Sequence, residues 1–95
     1  MAGIRFEWDP PKDRANRLNH QVSFEEAQTV FFDERALFIE DPDHSVEEER
    51  FLLLGLSTKL NVLLVCHCYR EDDQVIRIIS ARKATRTELH QYWDR

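Results

Sequence analysis

Apolar and polar residues alternate at the start of the chain, where Arg5 and Glu7 separate Ile4, Phe6 and Trp8. That period of two predicts a short strand with one buried face. Asp9-Pro10-Pro11 then opens a helix, with Asp9 as N-cap and proline in the first turn, where its missing donor is harmless. This helix is predicted to end near His20 and to carry only a thin apolar face, Ala15 and Leu18. Ser23 and Glu26 form a capping box before a second helix, in which Phe24, Ala27, Val30 and Phe31 recur at helical spacing. Further along, ALFIEDPDHS reads as a strand stopped by proline and turn formers. RFLLLGLS, NVLLVCHCY and QVIRIISA read as three more strands, joined at Thr58-Lys59 and Glu71-Asp72-Asp73. Thr85 and Glu88 form a second capping box, ahead of a terminal helix carrying Leu89, Tyr92 and Trp93. The order β-α-α-β-β-β-β-α predicts one α+β domain over residues 1–95: an antiparallel sheet with two N-terminal helices and a C-terminal helix.

Composition narrows the class. A chain of 95 residues, 42% hydrophobic, is enough for one core, and no apolar run approaches the ~20 residues of a membrane span. MAGIRFEWDPPK has no charged-then-apolar signal pattern, so a cytoplasmic location is expected. Cys66 and Cys68 share one face of a strand while His67 points to the other, so the three cannot converge on one ion. Buried thiols are the preferred reading, with no metal and no cofactor expected. Asp41, Asp43 and His44 resemble metal ligands, but Asp-Pro-Asp-His-Ser is also good turn chemistry, and the turn is preferred.

Charge is unevenly placed. Residues 1–49 hold 5 Lys/Arg against 13 Asp/Glu, and residues 50–95 hold 8 against 5. An acidic half and a basic half are compatible with a cationic partner on one side and an anionic ligand on the other. Arg82, Lys83 and Arg86 crowd the start of the last helix, where cations oppose the helix dipole. A phosphate site built from these cations and the free backbone N–H groups would account for that placement.

RNA cleavage without metal needs a proton acceptor for the 2′-OH, cations for the phosphate and a donor for the leaving oxygen. His67 and Arg77, on adjacent strands, are candidates for proton transfer and phosphate binding, set against bland readings as a core histidine and a solvated edge arginine. Hairpin register decides whether they meet. A two-residue turn at Asp72-Asp73 pairs His67 with Ile78 and sends Arg77 to the other face, beside Cys68. A three-residue loop over 71–73 puts His67 opposite Arg77, and is favoured because it unites them chemically. Tyr92 and Trp93 read first as packing residues of the last helix.

Phe6-Glu7-Trp8-Asp9-Pro10, Lys12, Asn16, His20 and Val22-Ser23-Phe24-Glu25-Glu26-Ala27 resemble the N-terminal signature of the BrnT toxins. Asp41-Pro42-Asp43-His44-Ser45, Glu49-Arg50-Phe51, Gly55 and Ser57 continue the resemblance in order. Ile79-Ser80-Ala81-Arg82-Lys83-Ala84, with Glu88 and Tyr92, is similar to the family's most specific motif. Asn19 and Gln21 depart from it, where the family usually shows Lys and Gly. The resemblance implies a RelE-like fold and a toxin of a type II toxin–antitoxin pair, a ribonuclease that arrests translation. It also implies a BrnA-like ribbon-helix-helix antitoxin, a heterotetramer with it, and contact with operator DNA only through that antitoxin. On this reading His67 transfers a proton, Arg77 and Arg82 clamp the phosphate, and Tyr92 orients or donates. Arg50, Lys83 and Arg86 then position the RNA. The alternative is a catalytically inactive BrnT-like module that only pairs with its antitoxin in operon repression.

Overall fold

In the computed structural model, which describes residues 3–39 and 49–94, the alternating stretches form one five-stranded sheet. Its strands are β1 (Arg5–Glu7), β2 (Leu37–Ile39), β3 (Phe51–Leu56), β4 (Val62–Arg70) and β5 (Val75–Lys83). They lie in the order β1-β5-β4-β3-β2. Strands β2 to β5 pair antiparallel, whereas β1 runs parallel to β5, so the sheet is mixed rather than wholly antiparallel. A parallel neighbour needs a long connection, and here the rest of the chain supplies it. The expected turn at Asp41, Asp43 and His44 lies outside the described residues.

Helices cover both faces, which is why β3 and β4 read as nearly continuous apolar runs. On one face α2 (Phe24–Thr29) and the 3-10 turn Val30–Phe32 bury Phe24, Ala27 and Val30 against Leu53, Leu63, Val65 and Ile78. On the other, α3 (Arg86–Trp93) packs Tyr92 on Leu54, Val62 and Leu64. Gly55 of β3 allows the 3-10 turn to approach closely. A Cβ there would meet Val30 Cγ1 at 2.7 Å and Ala36 Cβ at 3.0 Å.

Helix α1 (Pro10–His20) docks by a polar residue and not by Ala15 and Leu18, both of which are exposed. Its buried residue is Asn16. The Asn16 Nδ2 donates to the carbonyls of Val22 and Ala81, each at 2.8 Å, and Oδ1 accepts from the Ala81 N–H at 3.1 Å. Strand β1 ends at Glu7, opposite Arg77, so among the described residues the rest of that edge of β5 has no strand partner. A carboxamide carries both donor and acceptor, and here it imitates one.

Capping follows the sequence in part. Thr85 and Glu88 form the full reciprocal box at α3. Ser23 accepts from the Glu26 N–H, but the Glu26 carboxylate does not fold back. It is buried and accepts from Ser57 Oγ at 2.6 Å and Asn61 Nδ2 at 2.9 Å, which ties α2 to the β3–β4 turn. Asp9 occupies the N-cap of α1 without a side-chain hydrogen bond. Gln21, the C-cap of α1, is left-handed with φ 56°.

The β4–β5 hairpin turns on Asp72 and Asp73, with φ of 57° and 67°, and the Gln74 N–H donates to the Glu71 carbonyl at 3.1 Å. Positive φ at both central residues is what a tight hairpin of right-handed twist requires. Tyr69 therefore pairs with Ile76, His67 with Ile78 and Cys68 with Arg77. This corrects the favoured three-residue loop, which would have set His67 opposite Arg77. Beyond that point the ladder slips by one residue. Cys66 pairs with Ser80, and Ile79 is left as the extra residue of a β-bulge.

Two stability measurements follow. Asn16→Ala leaves the Ala81 N–H and two carbonyls unsatisfied and is expected to lower unfolding free energy by about 2–4 kcal/mol in urea titration. Gln21→Gly removes the left-handed penalty of a side-chain-bearing residue and is expected to raise it by about 1 kcal/mol.

Candidate active site

His67 is a core residue. It is fully buried on the face covered by α2, with the Phe31 ring edge-on at 4.7 Å and Phe51 and Tyr69 at 6.0 and 5.4 Å. Nδ1 lies 3.3 Å from the Val65 carbonyl and Nε2 lies 3.4 Å from the Tyr69 hydroxyl. A carbonyl can only accept, so the proton belongs on Nδ1, and Nε2 accepts from Tyr69. Burial disfavours the imidazolium and pulls the pKa from 6.5 down to about 4, partly opposed by the bond to Val65. Burial, reinforced by the Asp73 charge, raises that of Tyr69.

Arg77 stands on the opposite face of the sheet from His67, and the bulge gives it a different companion. Residues 77 and 82 are five apart, so a regular strand would point them to opposite faces. With Ile79 extra, Arg77 pairs with Cys68 and Arg82 with Leu64, four residues apart on β4, and both arginines share one face. Arg77 Nη1 meets Glu7 Oε2 at 2.8 Å, and Arg70 Nε approaches the same oxygen at 3.8 Å. Arg82 grips Glu88 with both terminal nitrogens, at 2.8 and 3.0 Å. The bond to Arg82, aided by Thr85, holds the Glu88 carboxyl below its usual range.

Between Arg82 and the exposed sheet lies a groove of about 390 Å³, floored by Leu52, Leu64 and Cys66 and edged by Ser80, Arg82 and His20. His20 was absent from the residues expected to do chemistry. It sits one helical turn beyond Asn16, on the same side of α1. Because Asn16 is pinned to Ala81, His20 is delivered beside Ser80 and Arg82. That spacing was visible in the sequence, but the docking of α1 through Asn16 was not.

The other expected residues disperse. Lys83 pairs with Leu63, so it points to the face opposite Arg82. The first turn of α3 is occupied by its own capping box, since Thr85 Oγ1 accepts from the Glu88 N–H and Glu88 accepts from the Thr85 N–H. Arg86 is exposed on that helix and Arg50 is exposed ahead of β3. Tyr92 is buried, as the packing reading expected, and its hydroxyl donates to Asp33 Oδ2 at 2.6 Å. That oxygen also accepts from the Leu56 N–H. Cys68 is buried and Cys66 half-buried, and neither is in a disulfide. No group of three His, Cys, Asp or Glu suited to an ion occurs among the described residues, and no helix among them is long and apolar enough to cross a membrane.

The buried imidazole makes a pH prediction. The folded pKa lies below the unfolded one, so the unfolded chain binds the proton more tightly. The neutral ring's contribution is fully present above pH 6.5 and is lost as pH falls towards about 4. Stability is expected to drop across that window by up to roughly 3 kcal/mol, read by urea titration at successive pH values. The His67 ring protons in NMR should show a midpoint near 4; a midpoint near 6.5 would contradict the burial.

Among curated proteins no sequence matches. The crystal structure of the Brucella abortus ribonuclease toxin BrnT superposes with a TM-score of 0.67 at 19% identity, covering 87% of this chain and 99% of that one. At that identity the likeness establishes the shared fold. Residues 8–88 match the family described as the ribonuclease toxin, BrnT, of type II toxin–antitoxin systems. With most of its length matched, this chain belongs to the BrnT family of ribonuclease toxins.

Proposed function

We propose that the chain is an endoribonuclease that cleaves RNA without a metal, arrests translation in the cytoplasm, and is restrained by a BrnA-like ribbon-helix-helix antitoxin in a heterotetramer. In this reading operator DNA is touched only through the antitoxin. The observation that carries it is the shared face of Arg77 and Arg82, with His20 at the rim of the groove beside Arg82. In such a reaction the 2′-oxygen bonds to the adjacent phosphorus as the P–O5′ bond breaks. The 2′-OH proton passes to a base, and O5′ takes one from an acid.

His20 is placed for one of these proton transfers, and Arg82 for the phosphate. Two hydrogens of the Arg82 guanidinium are held by Glu88 and one by the Lys83 carbonyl. Its remaining N–H groups stay available to a phosphate oxygen. Arg77 extends the cationic track along the sheet, and Arg50 and Arg86 steer the strand from outside, whereas Lys83, on the reverse face, takes no part in this track. His67 and Tyr92, first expected to act on the substrate, are read here as supports, because both rings are buried.

One observation favours a second reading, a catalytically silent module that pairs with the antitoxin. Both arginines of the cationic face already hold a carboxylate, Arg77 with Glu7 and Arg82 with Glu88. A cleavage assay separates the two. Purified chain is expected to cut 5′-labelled RNA in the presence of EDTA, and His20→Ala, Arg77→Ala and Arg82→Ala each to slow it by about 10²–10³-fold. The same variants should relieve growth arrest when the chain is expressed alone. RNA left whole by the unaltered chain would support the silent module, and full activity in all three variants would overturn the site.

A further inference from the structure

The groove beside Arg82 has a floor that the cleavage chemistry does not use. Strand register lays it out in rows across the open face of β3, β4 and β5. Leu52 pairs with Cys66 and Cys66 with Ser80, which makes one row. On one side of it the next row is Leu54, Leu64 and Arg82; on the other, Cys68 pairs with Arg77. Alternate residues of a strand are about 6–7 Å apart, so an arginine stands one row away on each side of the middle row. Tyr92 of α3 packs on Leu54 and Leu64, whereas Leu52 and Cys66 stay half-buried and Ser80 is exposed.

These groups select a ligand. A phosphate held by Arg82 gains nothing from a floor of Leu52, Leu64 and Cys66, and leaves most of the 390 Å³ groove unfilled. An aliphatic peptide side chain would suit the floor but gives the Arg82 guanidinium nothing to bind. A nucleotide meets both demands, because its base has an apolar face and a polar edge and is tied to a phosphate. Ser80 can donate to or accept from that edge. In an A-form duplex stacking covers the base faces and pairing occupies the edges, so only an unpaired strand can lay a base on the sheet.

We propose that the row of Leu52, Cys66 and Ser80 is a nucleobase seat, that Ser80 sets its selectivity, and that the chain therefore takes single-stranded RNA. One base lies flat on Leu52 and Cys66 with its edge at the Ser80 hydroxyl. Its phosphate falls at Arg82, and the strand runs on towards Arg77. Bases of different size and edge pattern reach the hydroxyl differently, so affinity differs among them. The proposal takes the identity of the strand from the ribonuclease reading and needs no step of the cleavage itself.

The test measures binding to the purified chain by fluorescence anisotropy at physiological salt. The probes are short labelled strands of oligo(A), oligo(C) and oligo(U), with 2′-fluorine in place of the attacking hydroxyl. A strand with the same phosphates but no bases, and the oligo(A)–oligo(U) duplex, are expected to bind at least about 10-fold more weakly than the tightest single strand. Ser80→Ala, at an exposed position, is expected to bring the three single strands within about 2-fold of one another. Leu52→Ser is expected to cut the advantage of a single strand over the base-free strand to below about 3-fold, with affinity for the base-free strand unchanged. A variant that merely unfolds would lose both.

No binding of any strand by the unaltered chain overturns the proposal, as does equal affinity for the base-free strand or the duplex. So does an unchanged order of preference in Ser80→Ala. Failure of the ribonuclease reading is a separate result. A chain that cuts unmodified RNA but binds without regard to bases keeps the nuclease and loses the seat. Base-dependent binding by a chain that leaves RNA whole keeps the seat and removes the nuclease.

Discussion

The single unpaired residue of β5, Ile79, is the constraint on which the rest of the molecule depends. Before it, Ile78 faces the core and Arg77 the open side; after it, Ala81 faces the core and Arg82 the open side. A regular strand would have buried one arginine or exposed one core residue, because side chains alternate strictly. The bulge lets one strand serve a packed interior and a cationic surface with residues five apart. Its neighbour Ala81 is also where α1 attaches through Asn16, so the slip that aligns the arginines also fixes where His20 arrives.

Much of this was legible from the order of residues, and the exceptions share a cause. Strands, helices and the α3 cap were readable because apolar period and capping chemistry are local. The mode of α1 docking was not, since an asparagine that mimics a strand leaves no apolar periodicity. The Glu26 carboxylate matched a local capping pattern yet served distant partners, Ser57 and Asn61. The hairpin register was the sharpest divergence. Asp-Asp lacks the glycine that would announce a tight turn with positive φ, and chemical appeal favoured the register that the backbone does not take. His67 followed: its neighbours in sequence could not reveal that Phe31 and Phe51 would close over it.

Both arginines of the open face are paired with carboxylates, and the physics of such pairs decides what that means. Arg77 and Arg82 are each about a third exposed, and Glu7 is more open still. Half-exposed pairs are individually weak, because water and salt screen them and ordering costs side-chain entropy. A polyanion can therefore displace Glu7 from Arg77 at low cost, whereas the two-bond grip of Arg82 on the mostly buried Glu88 holds and leaves Arg82 its remaining N–H groups. Until then Glu7 and Glu88 hold the two guanidinium planes in place, which reduces the ordering needed when a phosphate arrives. The pairing is thus compatible with a clamp at rest, and it explains how cations can sit ready in an acidic chain.

The net charge of -5 looks unfavourable for gripping RNA only when taken as a sum. At physiological ionic strength charges separated by more than about 8 Å are largely screened, so a phosphate responds to the surface it touches. Acid is gathered in residues 33–49, five of its eight acids outside the described residues, while Arg77 and Arg82 share one face of the sheet. On that face Arg77 and Arg82, with Arg70 near the same Glu7 oxygen, meet the carboxylates of Glu7 and Glu88. The sum over the whole chain therefore does not decide whether a polyanion can approach this face; the groups within a screening length of it do.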